Sequence, residues 1–120
     1  KRLSMAHENV PAGKYAIEAL RTSGVYDQVK ARIVTGDNVR QALTWVARDE
    51  ADIGIVFATD ARVAPEVKTV LVIPSSLHSP VIYPVTVLST DSITEKFVQH
   101  LRSSAARAHF LRAGFNVLAR

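Results

Sequence analysis

Short apolar runs alternate with helical patterns along the first half of the chain. The runs "RLSMA", "ARIVTG" and "ADIGIVFAT" are typical of strands, and the third is almost continuously apolar. Such a run favours a strand buried on both faces of a parallel sheet. Between the runs, "NVPAGKYAIEALRTSG" and "GDNVRQALTWVARDE" place apolar residues at helical spacing. The order strand, helix, strand, helix, strand predicts an α/β layered fold.

The ends of the two predicted helices carry local signals. Asn9 and Pro11 mark a turn before the first helix, and Gly24 is suited to its C-terminal cap. Asp37 or Asn38 is expected to cap the second helix. Each helix is therefore predicted to begin within a few residues of the strand that precedes it.

Two further apolar runs follow in the second half. "VKTVLVIP" predicts another strand, and "SSLHSP" reads as a loop after it. "VIYPVTVLS" is strand-like, but Pro84 interrupts it. A proline inside such a run places the segment at a sheet edge, at a bend or at a crossing between lobes.

The chain is predicted to close in a helical segment that starts near Thr90. Either Thr90 or Asp91 caps it, the serine pair at 103–104 divides it in two, and Gly114 ends it. Its apolar face is expected to comprise Ile93, Phe97 and Leu101.

Composition excludes several classes of protein. The 120 residues predict one domain or one lobe of a larger protein. Cysteine is absent, which excludes disulfides, thiolate metal sites and cysteine nucleophiles. No run approaches the 18 or so apolar residues of a membrane-spanning helix. The chain shows neither a signal-peptide pattern at its start nor an internal repeat.

The net charge of +4 is concentrated near the C-terminus. Residues 1–92 contain ten Lys and Arg and ten Asp and Glu, so the surplus lies in residues 93–120. Arg102, Arg107 and Arg112 are five residues apart, and at about 100° per residue they fan around a helix instead of forming one stripe. A solvated helix surface is therefore favoured over a nucleic-acid footprint, and no nucleic-acid partner is expected.

Residues that commonly carry chemistry do not form a recognisable site. The four histidines are scattered, which favours isolated side chains over a metal site. The acidic stretch "RDEAD" is typical of a solvated turn, and "SSLHS" does not make a catalytic triad. Neither a GxGxxG motif nor a Walker A motif is present. We therefore expect no catalytic residues, no bound cofactor and no enzyme activity.

The two helix starts are the remaining candidate for a binding site. The first N–H groups of a helix lack intrahelical partners, and with the helix dipole they form a natural anion site. In a parallel α/β layer, successive turns from strand to helix lie along one edge of the sheet. The turns before Ala12 and before Val39 are therefore expected to converge on one small anion.

Four segments resemble the family of periplasmic molybdate-binding proteins, the substrate-binding components of molybdate ABC transporters. They are "NVPAGKYAIEAL", "GDNVRQALTWVARDEADIGIVFATDA", "HSPVIYPVTVL" and "FLRAGF", and they occur in the family's order over essentially the whole chain. The resemblance implies a three-layer α/β/α lobe of a type II periplasmic-binding-protein-like fold. Residues 1–88 would form the second lobe, and residues 89–120 a helical segment that in the family packs on the first lobe. The family's first lobe, with its two serine-bearing loops, has no counterpart in these residues.

The resemblance also implies ligand-binding residues. Ala12 and Val39 match positions whose backbone N–H groups hold the oxyanion, and Phe57 falls where the family has a tyrosine hydroxyl. Phe57 is a departure, because it offers no hydroxyl. His7 also replaces a residue that is usually acidic in the family, and it is not expected to touch the ligand. Arg40 is expected to point to solvent or to a loop.

The resemblance further implies molybdate or tungstate as the ligand, a membrane permease as partner and a periplasmic location. We expect a homodimer through the apolar surface that would otherwise dock on the first lobe. One alternative is the effector-sensing lobe of a transcription regulator with a related fold, which requires a DNA-binding module upstream. An enzyme acting on a small phosphorylated or carboxylated metabolite is a third option, with the least support in the sequence.

Overall fold

The computed structural model describes residues 1–118 and comprises two compact units, residues 1–81 and residues from Ile82 onward. In the first unit, strands β1 (Leu3–Ala6), β2 (Ile33–Gly36) and β3 (Ile53–Gly54) form a parallel sheet in the order β2-β1-β3. Helix α1 (Pro11–Thr22) follows β1, and α3 (Val39–Ala47) follows β2. The short helices are α2 (Tyr26–Val29), α4 (Ala58–Ala61) and the 3₁₀ turns Lys30–Arg32 and Ser75–Leu77.

Helices α1 and α3 cover opposite faces of the sheet. The chain steps from β1 to β2 in one direction and from β2 to β3 in the other, and right-handed crossovers then place the helices on different faces. Side chains agree with this, because Leu3 and Met5 pack in a cluster with Ala16 and Leu20 of α1. The alternate residue Ser4 donates a hydrogen bond from Oγ to the carbonyl oxygen of Ala42 in α3, at 2.9 Å. The predicted α/β layering is confirmed.

The third strand is much shorter than its apolar run predicts. Only Ile53 and Gly54 belong to β3, and Ile53 is 46% exposed. The expectation of a strand buried on both faces is therefore wrong in this chain. β3 is an edge strand of the sheet formed by residues 1–118, so no strand in that range pairs with its outer side.

The run around residues 70–73 does not form the predicted strand. Val70, Leu71 and Val72 are each more than 70% exposed, and the segment has no regular secondary structure. The segment from Val81 to Leu88 likewise lacks regular structure, and Leu88 is 93% exposed. A strand needs a neighbour that accepts its backbone hydrogen bonds, and residues 1–118 provide none for either run.

The second unit contains helices α5 (Ser92–Leu101) and α6 (Ser104–Arg112). Asp91 caps α5, and Ser103 caps α6 by accepting a hydrogen bond from the N–H of Ala106 at 3.2 Å. The predicted start and the predicted division at 103–104 are confirmed. Gly114 follows α6 with a φ of 93°, so it ends the helix as predicted.

The expected apolar face of α5 is not buried among the described residues, since Ile93 is 79% exposed and Phe97 is 58% exposed. The proposed boundary between residues 88 and 89 rests on the family resemblance and stays a prediction. No helix within residues 1–118 combines the length and the apolar character needed to cross a lipid bilayer.

Candidate anion-binding site

The carboxyl edge of the sheet brings together the three segments that carry the predicted site residues. The ends of β1 and β2 lie side by side, with Ala6 opposite Gly36, and the N–H of His7 donates to the carbonyl oxygen of Gly36 at 2.8 Å. β3 runs parallel to them, and the N–H of Ile55 donates to the carbonyl oxygen of Ser4 at 2.9 Å. The segments that lead to Ala12, Val39 and Phe57 therefore all leave the sheet at one edge.

The start of α1 carries backbone donors without partners. Val10 precedes the helix in an extended conformation and provides no side-chain cap. Pro11 has no N–H, and its fixed φ suits the first position of a helix. Lys14 is the first residue whose N–H bonds back to Val10, at 3.1 Å. Within residues 1–118, the N–H groups of Ala12 and Gly13 have no hydrogen-bond acceptor.

Gly13 lets this helix start lie directly against the end of β1. A Cβ atom at Gly13 would lie 2.1 Å from the carbonyl oxygen of His7 and 2.5 Å from that of Ala6. Both are backbone atoms, so no side-chain rotation relieves the clash. The absence of a side chain at Gly13 therefore sets the depth at which the donors of α1 approach the sheet edge.

The start of α3 is held by a reciprocal capping arrangement. The Asn38 side chain accepts a hydrogen bond from the N–H of Gln41 at 2.9 Å, and Gln41 Oε1 accepts one from the N–H of Asp37 at 2.7 Å. Of the two caps left open by the sequence, the structure has Asn38. The N–H groups of Val39 and Arg40 are left without acceptors in the part of the chain that the structure describes.

Phe57 lies where β3 leads into α4. Its carbonyl oxygen accepts hydrogen bonds from the N–H groups of Asp60 at 3.0 Å and Ala61 at 3.2 Å. Its ring packs edge-on against Tyr15 of α1, with the ring centroids 6.4 Å apart. The side chains therefore connect Phe57 to the helix that begins at Ala12. Sequence reasoning missed Tyr15, although its position one helical turn after Ala12 was a usable signal.

The loop after Ser75–Leu77 is fastened to α1 through Tyr15 and Glu18. The Tyr15 hydroxyl donates to the carbonyl oxygen of Pro80 at 3.4 Å, and its ring lies edge-on to His78 at 6.2 Å. The Ser79 hydroxyl donates to Glu18 Oε1 at 2.7 Å. Hydrogen bonds from the Ser79 backbone N–H and hydroxyl hold the pKa of the Glu18 carboxyl below its usual value.

The cation nearest the start of α3 is already paired. Arg40 Nε lies 2.7 Å from Asp60 Oδ1, and the Asp60 side chain is only 10% exposed. Arg40 was expected to point to solvent or to a loop; its side chain is largely exposed, and its Nε meets the short helix α4 instead of a loop. Asp60 was missed, because no local pattern links residues 20 positions apart. No group of three or more His, Asp or Glu side chains in residues 1–118 is arranged to hold a metal ion.

The fold and this edge define a class of protein. Helices cover both faces of a parallel sheet, and the helix starts lie at one edge of that sheet, as in solute-binding proteins. A sequence model of the family described as "bacterial extracellular solute-binding protein" matches residues 2–116. The chain belongs to this family. The type II periplasmic-binding-protein fold expected from the resemblance is confirmed by the structural neighbours described next.

Two relatives of the chain are both named as molybdate-binding proteins. The chain is 44% identical over 110 residues to the molybdate-binding protein ModA of Haemophilus influenzae and 38% identical over 112 residues to ModA of Escherichia coli. These matches cover 90% and 92% of this chain but only 43% and 44% of those proteins. The chain therefore spans less than half the length of the curated relatives that it matches.

Two solved structures share the fold. A substrate-binding domain from Clostridium difficile, named for a molybdenum ABC transporter, superposes with a TM-score of 0.84 at 30% identity, covering 99% of this chain and 54% of that one. The periplasmic molybdate-binding protein of Azotobacter vinelandii gives a TM-score of 0.80 at 20% identity, covering 99% and 55%. The suspected family resemblance is thus confirmed, whereas the roles of Ala12, Val39 and Phe57 in binding stay predictions.

Proposed function

We propose that this chain binds molybdate or tungstate as part of the substrate-binding component of an ABC transporter. The observation that carries the proposal is the pair of helix starts at one sheet edge, each with two acceptor-free N–H groups. The names of the relatives supply the identity of the anion. Binding rather than catalysis is proposed because the matched family is one of solute-binding proteins.

A site of this composition suits a fully deprotonated dianion. Backbone N–H groups only donate, and molybdate at neutral pH only accepts. Phosphate species carry a proton that needs an acceptor, so burying them here leaves a donor unpaired, which costs about 1–3 kcal/mol. The partial positive charge at helix starts stabilises the anion without a buried lysine or arginine, whose own desolvation is expensive. Sulfate is also a fully deprotonated dianion, so discrimination against it requires a site sized for the larger molybdate and tungstate ions.

Phe57 contributes a wall to this site and no hydrogen bond from its side chain. A hydrogen bond to a charged group contributes about 1.5–3 kcal/mol, so the phenyl ring weakens binding relative to a tyrosine unless a water replaces the hydroxyl. We infer that residues outside these 120 supply further donors, as the first lobe does in the family. The whole protein would then work outside the cytoplasm and deliver its anion to a membrane permease.

Thermal unfolding with four anions tests the proposal. Molybdate and tungstate are expected to raise the melting temperature, whereas sulfate and phosphate at equal concentration and ionic strength are not. A ligand at 100 times its Kd adds about 2.7 kcal/mol to the free energy of unfolding, which is readily measured. The experiment is run on this chain and on a version joined to the first lobe of the Haemophilus influenzae relative. No selective shift in the two-lobed version would contradict the proposed function.

A further inference from the structure

One side-chain ion pair joins the first turn of α3 to α4. Arg40 is the second residue of α3, and its Nε lies 2.7 Å from Oδ1 of Asp60. The two partners differ in environment, because the Arg40 side chain is 65% exposed and the Asp60 side chain 10% exposed. The guanidinium thus approaches from the surface and covers a carboxylate that the fold has buried.

This burial separates the pair from an ordinary surface ion pair. The Lys30–Asp27 pair joins neighbours on one helical turn, and both side chains are more than half exposed. Such pairs contribute little, because water screens both charges. A buried carboxylate that loses its partner keeps its desolvation cost, so Asp60 depends on Arg40 far more than Asp27 depends on Lys30.

Asp60 also stabilises the backbone turn that begins at Phe57. Helix α4 has only four residues, and such a short helix is not stable by itself. Its cap, Phe57, offers no side-chain hydrogen bond, and the N–H of Asp60 donates to the carbonyl oxygen of Phe57 at 3.0 Å. Fixing the Asp60 side chain therefore fixes the turn that presents Phe57 at the sheet edge.

We propose that Arg40 is a positioning residue of the anion site: its ion pair with Asp60 holds the Phe57 turn beside the start of α3. The proposal rests on the proposed function for its effect on binding. The Arg40 side chain is paired with Asp60 through Nε, so we assign its guanidinium to Asp60 and not to the anion. Arg40, which follows the Val39 donor, thus shapes the site through Asp60. The partial positive charge that contacts the anion comes from backbone N–H groups.

Direct contact between Arg40 and the anion makes the opposite prediction for Asp60. If Arg40 bound the anion, Asp60 would compete for the guanidinium, and Asp60→Asn would free the cation and tighten binding. If Arg40 acts through Asp60, Asp60→Asn weakens binding as Arg40→Ala does. In that case the double variant is no weaker than either single variant, since both changes break one connection.

Amide hydrogen exchange on the free chain tests the positioning without any ligand. Arg40→Ala is expected to speed exchange of the Asp60 and Ala61 N–H groups roughly tenfold or more, while Met5 in the central strand keeps its protection. Arg48→Ala is the matched control, because it removes the same charge from the far end of α3. Unchanged exchange at Asp60 and Ala61 overturns the proposal, and so does equal loss of protection at Met5, which indicates general destabilisation.

Tungstate titration by calorimetry tests the effect on the site. Arg40→Ala, Asp60→Asn and the double variant are each expected to weaken binding on the order of tenfold, the low end of what outer-shell partners of bound metal ions contribute. Arg48→Ala leaves the affinity unchanged, and Arg40→Lys lies between wild type and Arg40→Ala. Tighter binding by Asp60→Asn, or additive losses in the double variant, overturns the proposal. If the wild-type chain binds no tungstate, the proposed function fails for this chain, and the exchange result alone decides the positioning.

Discussion

At the scale of single residues, the candidate site depends on what two positions lack. Gly13 lacks the Cβ atom that would collide with the carbonyl oxygens of His7 and Ala6. Phe57 lacks the hydroxyl that the family resemblance expects at its position. The missing Cβ atom of Gly13 lets the backbone N–H donors of α1 lie close to the sheet edge. The missing hydroxyl of Phe57 means that its side chain offers no hydrogen-bond donor. A substitution can restore each missing group: alanine adds a methyl group at position 13, and tyrosine adds a hydroxyl at position 57.

Gly13→Ala is expected to destabilise the chain by about 1–3 kcal/mol, as overpacking at a close contact does. In an unhindered helix the same change would stabilise by about 1 kcal/mol, so the sign itself is informative. Urea unfolding measures the difference. Lys14→Ala, at an exposed position in the same turn, is the control and should stay within about 0.5 kcal/mol of wild type. A Gly13→Ala chain as stable as wild type would show that α1 does not press on β1.

Phe57→Tyr is expected to tighten molybdate binding. A hydrogen bond to a charged group contributes about 1.5–3 kcal/mol, which corresponds to roughly 10- to 100-fold in Kd. Calorimetric titration measures the change. Phe97→Tyr is the matched control, since it adds the same hydroxyl to an exposed phenylalanine of α5 outside the candidate site and should leave the affinity alone. Equal affinities of wild type and Phe57→Tyr would show that residue 57 does not face the anion.

At the scale of elements, the sequence predicted those whose signals are local. β1, α1, β2 and α3 follow from apolar periodicity, and the helix ends follow from the Asp37–Asn38 pair, the serine pair at 103–104 and Gly114. The run "VKTVLVIP" was predicted as a strand and is not one, because strand formation depends on a partner strand and not on the run itself. The strand-like run with Pro84, left open as an edge, a bend or a crossing, also has no regular structure. The residues of the candidate site divide in the same way. The predicted helix starts identified Ala12 and Val39 as candidate site residues. Asp60 depends on a long-range contact with Arg40, which no local pattern reveals, and the only sequence signal for Tyr15 was its helical spacing from Ala12.

The cap of α5 predicts a pH dependence. Hydrogen bonds from the Ser89 hydroxyl, from the Thr94 N–H and hydroxyl and from the Ile93 N–H hold the pKa of the Asp91 carboxyl below its usual value. A lowered folded-state pKa gives stability that is complete above the unfolded pKa of about 3.9 and is lost as the pH falls further. Wild type is therefore expected to retain more α5 helix than Asp91→Asn near pH 7, with the difference shrinking below about pH 4. Circular dichroism over this range measures it, and a constant difference down to pH 2 would contradict it.

At the scale of the whole molecule, exposed apolar side chains predict self-association. In the second unit Val85, Leu88, Phe97 and Leu111 are each at least 48% exposed. Apolar side chains that are this exposed favour burial against another surface. We propose that a second copy of the chain covers them, so light scattering should give about twice the 13.1 kDa monomer mass. Leu88→Glu with Phe97→Glu should shift the population toward monomer, and a strict monomer at high wild-type concentration would contradict the proposal.

Anion binding at this sheet edge requires that two helix starts act on one anion. Crystals of this chain soaked in tungstate test that most directly, because tungsten is located by its anomalous scattering. We predict a tungsten atom at the carboxyl edge of the sheet, with its oxygens about 2.9 Å from the backbone nitrogens of both Ala12 and Val39. Tungsten bound only at surface lysines and arginines, or at one helix start without the other, would contradict the central claim.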